Sequence, residues 1–373
     1  MTTQNIVHDE KAAKKYSKIK NTISFTETIL FFVIFLTLIF TGLTKQAEQY
    51  AHSLTGNDYI ALLIFILLIS LPEIIIVSPL NFYSSFILEH KYGLSNQTFS
   101  KYLIEKLKGL LLTAVIGIPL LFAFYYILRN TGDLWWLILG IFMFFFSVIL
   151  GQLAPVIIMP LFYKFKEIEN ESLKSKLLAL CAKAGVKIKG IFTFDMSKNT
   201  KKANAAFTGL GKTKRIILGD TLIDKFSDEE IEIVFAHEMG HYTKSHIVKM
   251  MTLSTVLTFL GLFLTSKLYD ILLPAFHLSS RYELAALPLM FLLLSLYGII
   301  TSPLSNIQSR KYEWEADTYA LETTGDKASF ISAMEKLADQ NLADKKPNKI
   351  LEFLFHSHPS LDKRINFAKN YSL

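Results

Sequence analysis

Six stretches of the chain are predominantly apolar: 24–43 (SFTETILFFVIFLTLIFTGL), 59–88, 109–128, 134–162, 250–274 and 285–306. A helix crossing a bilayer needs about 20 such residues, so each stretch predicts one membrane span. The first is too long for a cleaved signal peptide, and no small-x-small pattern follows it; it reads as a signal anchor. The second and fourth exceed the required length and carry prolines, Pro72 and Pro79, then Pro155 and Pro160. Tilting, kinking or extension beyond the bilayer absorbs that excess.

The polar stretches have patterns of their own. Residues 169–186 show helical spacing ending at Gly185, IFTFDM (191–196) reads as a short apolar strand, and NAAFTGLGKTKRIILGDTL (204–222) reads as two strands around a turn near Gly209 and Gly211. Ser227-Asp228-Glu229-Glu230 fits a capping box, which starts a helix. The tail is helical by pattern, broken at HSHPS (356–360). The chain thus divides into a four-span region (1–162), a polar segment (163–249), a membrane hairpin (250–306) and a helical tail (307–373). The expected fold is mainly α, a polytopic membrane protein with six spans and a small β-hairpin in its polar part.

Composition agrees: 51% of residues are apolar, 30 are phenylalanine, and mean hydropathy is +0.35. The net charge of +7 fits a membrane surface better than nucleic acid in so apolar a chain. Lysine and arginine alternate between rich and poor connections. Residues 1–23, the stretch after the second span, 163–249 and the tail are rich; 44–58, 129–133 and 275–284 hold one basic residue each. By the positive-inside rule both termini and 163–249 are expected in the cytoplasm. Cys181 is the only cysteine, so metal chemistry must use histidine and carboxylate.

That chemistry is offered by HEMGH, an H-E-x-x-H pattern. Four residues apart on a helix, His237 and His241 share a face and can grip one Zn2+, with Glu238 placed to take a proton from water. A hydrolytic zinc site usually takes a third protein ligand. It is expected where the chain returns from the last span, at SRKYEWEADTYALE (309–322). Glu313 lies roughly 10 Å of helix beyond Asn306, and His241 roughly 14 Å before the fifth span. Glu313 and Asp317 share a helix face, whereas Glu315 points about 200° away. Glu313 is therefore expected as ligand, Asp317 as its support or as a proton donor, and Glu315 as solvated. His246, five residues past His241, is expected to point away from the ligand face and to serve as a cap or interfacial residue.

HEMGH, EWEAD and HSHPSLDKR, with EHKYGLSNQT (89–98) and the 204–222 segment, together resemble the type I CAAX prenyl proteases, integral-membrane zinc metalloproteases. The resemblance implies tilted helices around a water-filled chamber, with zinc near its cytoplasmic end. It implies His237, His241 and Glu313 as zinc ligands and Glu238 as general base and acid. It also implies Asn204 beside an extended substrate peptide held on a strand edge, His358 at the oxyanion, and Arg364 supporting it. Eukaryotic members have seven spans; six are counted here, since 44–58 is too short for another.

The expected function is a zinc endopeptidase cutting peptide or protein substrates, prenylated ones as the family name implies, at the cytoplasmic membrane face. Quality-control cleavage of membrane proteins is an alternative within the group. A metal transporter is the rival from another class. It is disfavoured because transporters place polar ligands at mid-membrane, whereas these motifs lie outside the apolar stretches.

Overall fold

The computed structural model describes residues 9–186, 188–208 and 215–372. Its first half is α1 (Glu10–Phe40), α2 (Leu43–Leu54), α3 (Asp58–Phe82), α4 (Leu88–Lys91), α5 (Phe99–Asn130), α6 (Trp135–Leu153) and α7 (Met159–Phe162). Polar caps start α1, α3 and α5. Asp9 accepts from Ala12 N, Asn57 from Tyr59 N and Ile60 N, and Thr98 from Lys101 N, so amides without helical partners are satisfied. The excess length of the second and fourth apolar stretches is kept as helix. A π turn at Tyr83–Ile87 joins α3 to α4, and another at Ala154–Ile158, containing Pro155, joins α6 to α7.

The second half holds β1 (Phe165–Glu167), α8 (Glu171–Lys183), β2 (Ile191–Phe194), β3 (Ala205–Thr208), β4 (Arg215–Gly219) and α9 (Asp220–Ile223). Then follow α10 (Asp228–Thr243), α11 (His246–Leu272), α12 (Leu287–Thr324), α13 (Lys327–Gln340), α14 (Lys349–Phe355) and α15 (Leu361–Asn370). Among the described residues six helical segments are long and apolar enough to cross a membrane, matching the six stretches read from sequence. α8 ends as its glycine foretold: Gly185 takes φ +64°, and Val186 N reaches back to Cys181 O at 2.9 Å.

The sheet runs β1-β2-β4-β3, with β2 and β4 parallel and the outer pairs antiparallel. Ala205 pairs with Leu218 and Thr208 with Arg215, the hairpin expected from 204–222, but β4 ends at Gly219, where α9 begins. The bend at Gly209 and Gly211 lies outside the described residues. β3 is an edge strand. Its approach is braced by the 89–98 loop, where Lys201 N donates to Leu94 O (2.9 Å) and Asn96 N to Asn199 O (3.1 Å). Glu89 anchors that loop by pairing with Lys20 and Lys202, each at 2.9 Å.

Two large apolar cores divide the described residues, beside a small cluster of Tyr16, Leu88 and Leu94. One gathers membrane-helix residues such as Phe65, Trp135, Tyr269 and Met290. The other joins Leu177, Ile216, Phe235 and Met239 to Leu321, Phe330 and Ile365, so the polar segment and the tail pack as one body. Where the hairpin helices meet, Gly261 admits the Tyr297 ring, whose hydroxyl donates to Leu257 O at 2.8 Å. This contact sets the register between α11 and α12. α12, about 57 Å long at 1.5 Å per residue, then leaves the membrane layer still helical and carries its acidic motif to α10.

Candidate metal centre

α10 is started by the expected capping box. Ser227 accepts from Glu230 N, and Glu230 Oε2 accepts from Ser227 N at 2.7 Å. Its buried face then presents His237 and His241 one turn apart. Gly240, between them, is the close-approach point: a Cβ there would meet the Ala316 Cα at 3.1 Å and Tyr319 at 3.1 Å. A Cβ at this position would press α12, and Glu313 with it, outward by a few tenths of an ångström.

His237 Nε2 and His241 Nε2 are 3.1 Å apart. Glu313 Oε2 lies 3.4 Å from the first and Glu313 Oε1 3.3 Å from the second. The three donor atoms all fall within 4.8 Å of one another, His237 and Glu313 buried and His241 half-buried. The chemistry of the set identifies what it suits. Asp317 can only accept a hydrogen bond, so the proton of neutral His237 sits on Nδ1, which lies 2.9 Å from Asp317 Oδ1. His237 Nε2 then presents a lone pair, toward the acceptor Glu313 Oε2, which has no hydrogen bond among the described residues. With His237 neutral, these two facing acceptors suit a shared cation, and in the metal-free protein a proton on His237 takes its place. With zinc–ligand bonds of about 2.0–2.1 Å, neighbouring tetrahedral ligands stand about 3.3 Å apart, the spacing observed here.

Burial disfavours a charge on His237, yet Asp317 and Glu313 outweigh it and raise its pKa to about 9. Arg364, buried, forks onto Asp317: Nε donates to Oδ2 at 2.8 Å and Nη2 to Oδ1. Its guanidinium thus holds the carboxylate that holds His237, while Nη1 lies 3.9 Å from Glu313 Oε2. His358 stands on the opposite side of Glu313, Nε2 3.2 Å from Oε1, its side chain 62% exposed and thus reachable. Although its edge meets solvent, the groups crowding the rest of the ring desolvate it and lower its pKa, which favours the neutral ring with an N–H to give.

Two cavities flank the donor set. One, about 370 Å³, is lined by Glu238, His241, Tyr242 and Tyr312; the other, about 390 Å³, by His358, His356, Tyr16 and Lys20. Asn204 is exposed at the start of β3, and its carbonyl is taken by Gly219 N at 2.9 Å.

Two expectations are corrected. His246 does not point away from the ligands, because α10 ends at Thr243 and the chain reverses through Ser245, at φ +57°. The reversal brings His246 Nδ1 to 3.0 Å from His241 Nδ1. Glu315 is not merely solvated; its Oε2 accepts from His246 Nε2 at 3.0 Å. Gly240 and Arg310 also escaped the sequence reading. Arg310 Nη1 donates to the carbonyls of Glu352 (3.0 Å) and His356 (2.6 Å), and Asn306 Nδ2 to Leu354 O (2.7 Å). The loop bearing His358 is thereby tied to α12. No sequence signal marked Arg310; the glycine within HEMGH was the available hint for Gly240.

The profile of Peptidase family M48 matches residues 167–372, and that of the CAAX prenyl protease N-terminal region, five membrane helices, matches 3–164. In that stretch the described residues have four spans and the 12-residue α2. CAAX prenyl protease 1 of Saccharomyces cerevisiae is 32% identical, over 81% of this chain and 71% of its own. An uncharacterized metalloprotease of Bacillus subtilis, YhfN, is 30% identical over 96% and 84%. The crystal structure of S. mikatae Ste24p superposes with a TM-score of 0.86 at 29% identity, covering 99% of this chain and 91% of that one. With both profiles meeting across nearly its whole length, the chain belongs to the CAAX prenyl protease family and is a multi-pass integral-membrane metalloprotease.

Proposed function

We propose that the chain binds one zinc ion through His237, His241 and Glu313 and hydrolyses peptide bonds of prenylated, C-terminal CAAX-type substrates at the cytoplasmic membrane face. The observation that carries the reading is the convergence of three ligand atoms within 4.8 Å, beside Glu238 in a cavity. Sidedness is supported by the basic connections, and prenylated substrates by the similarity to CAAX prenyl protease 1 of Saccharomyces cerevisiae. The polar segment (163–249) and tail (307–373) act as the protease unit, and 1–162 with 250–306 as the membrane unit, in keeping with the two cores.

When bound, zinc polarises the scissile carbonyl and makes nearby water more acidic. Glu238 accepts a proton from the attacking water and returns it to the leaving amine. His358 donates its Nε2–H to the developing oxyanion. Edge strand β3, reached past Asn204, hydrogen-bonds an extended peptide along its free side. Asp317 and Arg364 keep the His237 ring in place.

The test is incubation of the purified chain with a farnesylated C-terminal peptide and, separately, with casein, cuts being read by mass spectrometry. Glu238→Gln should retain zinc and abolish cleavage, and a chelator should abolish cleavage by the unsubstituted chain. Cleavage of casein alone would favour quality-control proteolysis. Cleavage surviving in Glu238→Gln would overturn the assignment of the base.

A further inference from the structure

We infer that His246, with Glu315 behind it, is a positioning residue that locks His241 in the tautomer and ring orientation needed to hold the metal. The inference rests on the proposed ligand set.

The protons can be followed from the carboxylate inward. Glu315, ionised, can only accept, so the hydrogen between its Oε2 and His246 Nε2, 3.0 Å apart, belongs to His246. His246 is buried, with 3% of its surface accessible, and a neutral ring already bearing Nε2–H presents a lone pair at Nδ1. The hydrogen between His246 Nδ1 and His241 Nδ1, 3.0 Å apart, must then come from His241. His241 Nε2 is left with its lone pair free, and that atom is the one facing His237 Nε2 and Glu313. Each ligand imidazole thus has a fixed acceptor behind it: His237 a carboxylate directly, His241 a carboxylate relayed through a second ring.

The relay is held rigidly. Tyr312 stacks on His246 with ring centroids 4.3 Å apart and planes within 13°, and Lys249 lies over the Tyr312 ring at 5.5 Å. Tyr312 and Glu315 flank Glu313 on α12, so one helix turn supplies a ligand to the metal and orients another ligand from behind. The αL turn at Ser245 makes this possible by returning His246 toward α10. Two carboxylates in EWEAD therefore divide the work, Glu313 in front and Glu315 behind.

The experiment compares His246→Leu, His246→Asn and the unsubstituted full-length chain by zinc stoichiometry, zinc affinity in chelator competition, and the visible spectrum of the cobalt-substituted protein. Asparagine can still accept from His241 Nδ1–H; leucine cannot. His246→Leu should bind zinc about 10–100-fold more weakly and shift the cobalt bands, and His246→Asn should recover most of both. Thermal unfolding of the metal-free forms identifies any variant that fails to fold, and Glu315→Ala, which leaves His246 in place, then carries the same prediction in weaker form. Zinc affinity within twofold of the unsubstituted chain in folded His246→Leu, or no advantage of asparagine over leucine, would overturn the inference. Failure of the unsubstituted chain to bind zinc would instead overturn the ligand set itself.

Discussion

Gly240 of α10 and Ala316 of α12 approach so closely that a methyl group on the glycine would stand 3.1 Å from the Ala316 Cα. This contact, not either ligand motif, determines how near Glu313 comes to the two histidines. Alanine at 240 gains about 1 kcal/mol of helix propensity and costs about 1–3 kcal/mol of overpacking against backbone that cannot rotate away. Gly240→Ala should therefore leave the melting temperature within a few degrees while lowering kcat at least about tenfold through displacement of α12. Unfolding scans and peptide-cleavage rates on the same preparation check both halves.

Asp317 is fully buried between His237 and Arg364. Asparagine there keeps the shape but removes the charge that balances the guanidinium. Breaking such a buried pair costs about 3–5 kcal/mol, and losing the brace on a ligand histidine costs about 10–100-fold in metal affinity. Asp317→Asn should show both a lowered melting temperature and weaker zinc retention in dialysis. Full retention of zinc would contradict the bracing role.

Arg310 donates to the Glu352 and His356 carbonyls at the end of α14, adding side-chain donors where backbone donors run out. Arg310→Met releases the His358 loop without touching the donor set. Zinc content should stay at the unsubstituted level while kcat falls by up to about a hundredfold, as expected for a misplaced oxyanion donor. Metal analysis beside steady-state kinetics separates this outcome from loss of the metal.

His237 in the metal-free protein has its pKa raised to about 9, against an ordinary 6.5. Zinc must displace that proton, so affinity should rise about tenfold per pH unit from pH 6.5 and level off above about 9. For the metal-free fold the sign is opposite. A raised pKa adds stability that is complete below 6.5 and is lost as pH rises through about 9. Chelator competition and metal-free melting curves across that range check the two directions, and a flat affinity profile would contradict the assignment.

The sequence by itself determined the six membrane helices, the start of α10 and the HEMGH ligand pair, because each is a local property. A run of about 20 apolar residues, a Ser–Glu capping box and a four-residue helical spacing carry their geometry with them. It also narrowed the third ligand to one acidic cluster, since consecutive spans must return side by side. The tertiary structure alone decided what stands behind those ligands. An αL residue at Ser245 interrupts a helix that periodicity would have continued, so His246 returns to His241 and Glu315 acquires a partner. Arg364 turns to Asp317, 47 residues away in the chain, and β1, only three residues long, is a strand because β2 lies beside it. These placements depend on contacts between distant segments and on a single backbone reversal, which helical periodicity and residue spacing do not encode.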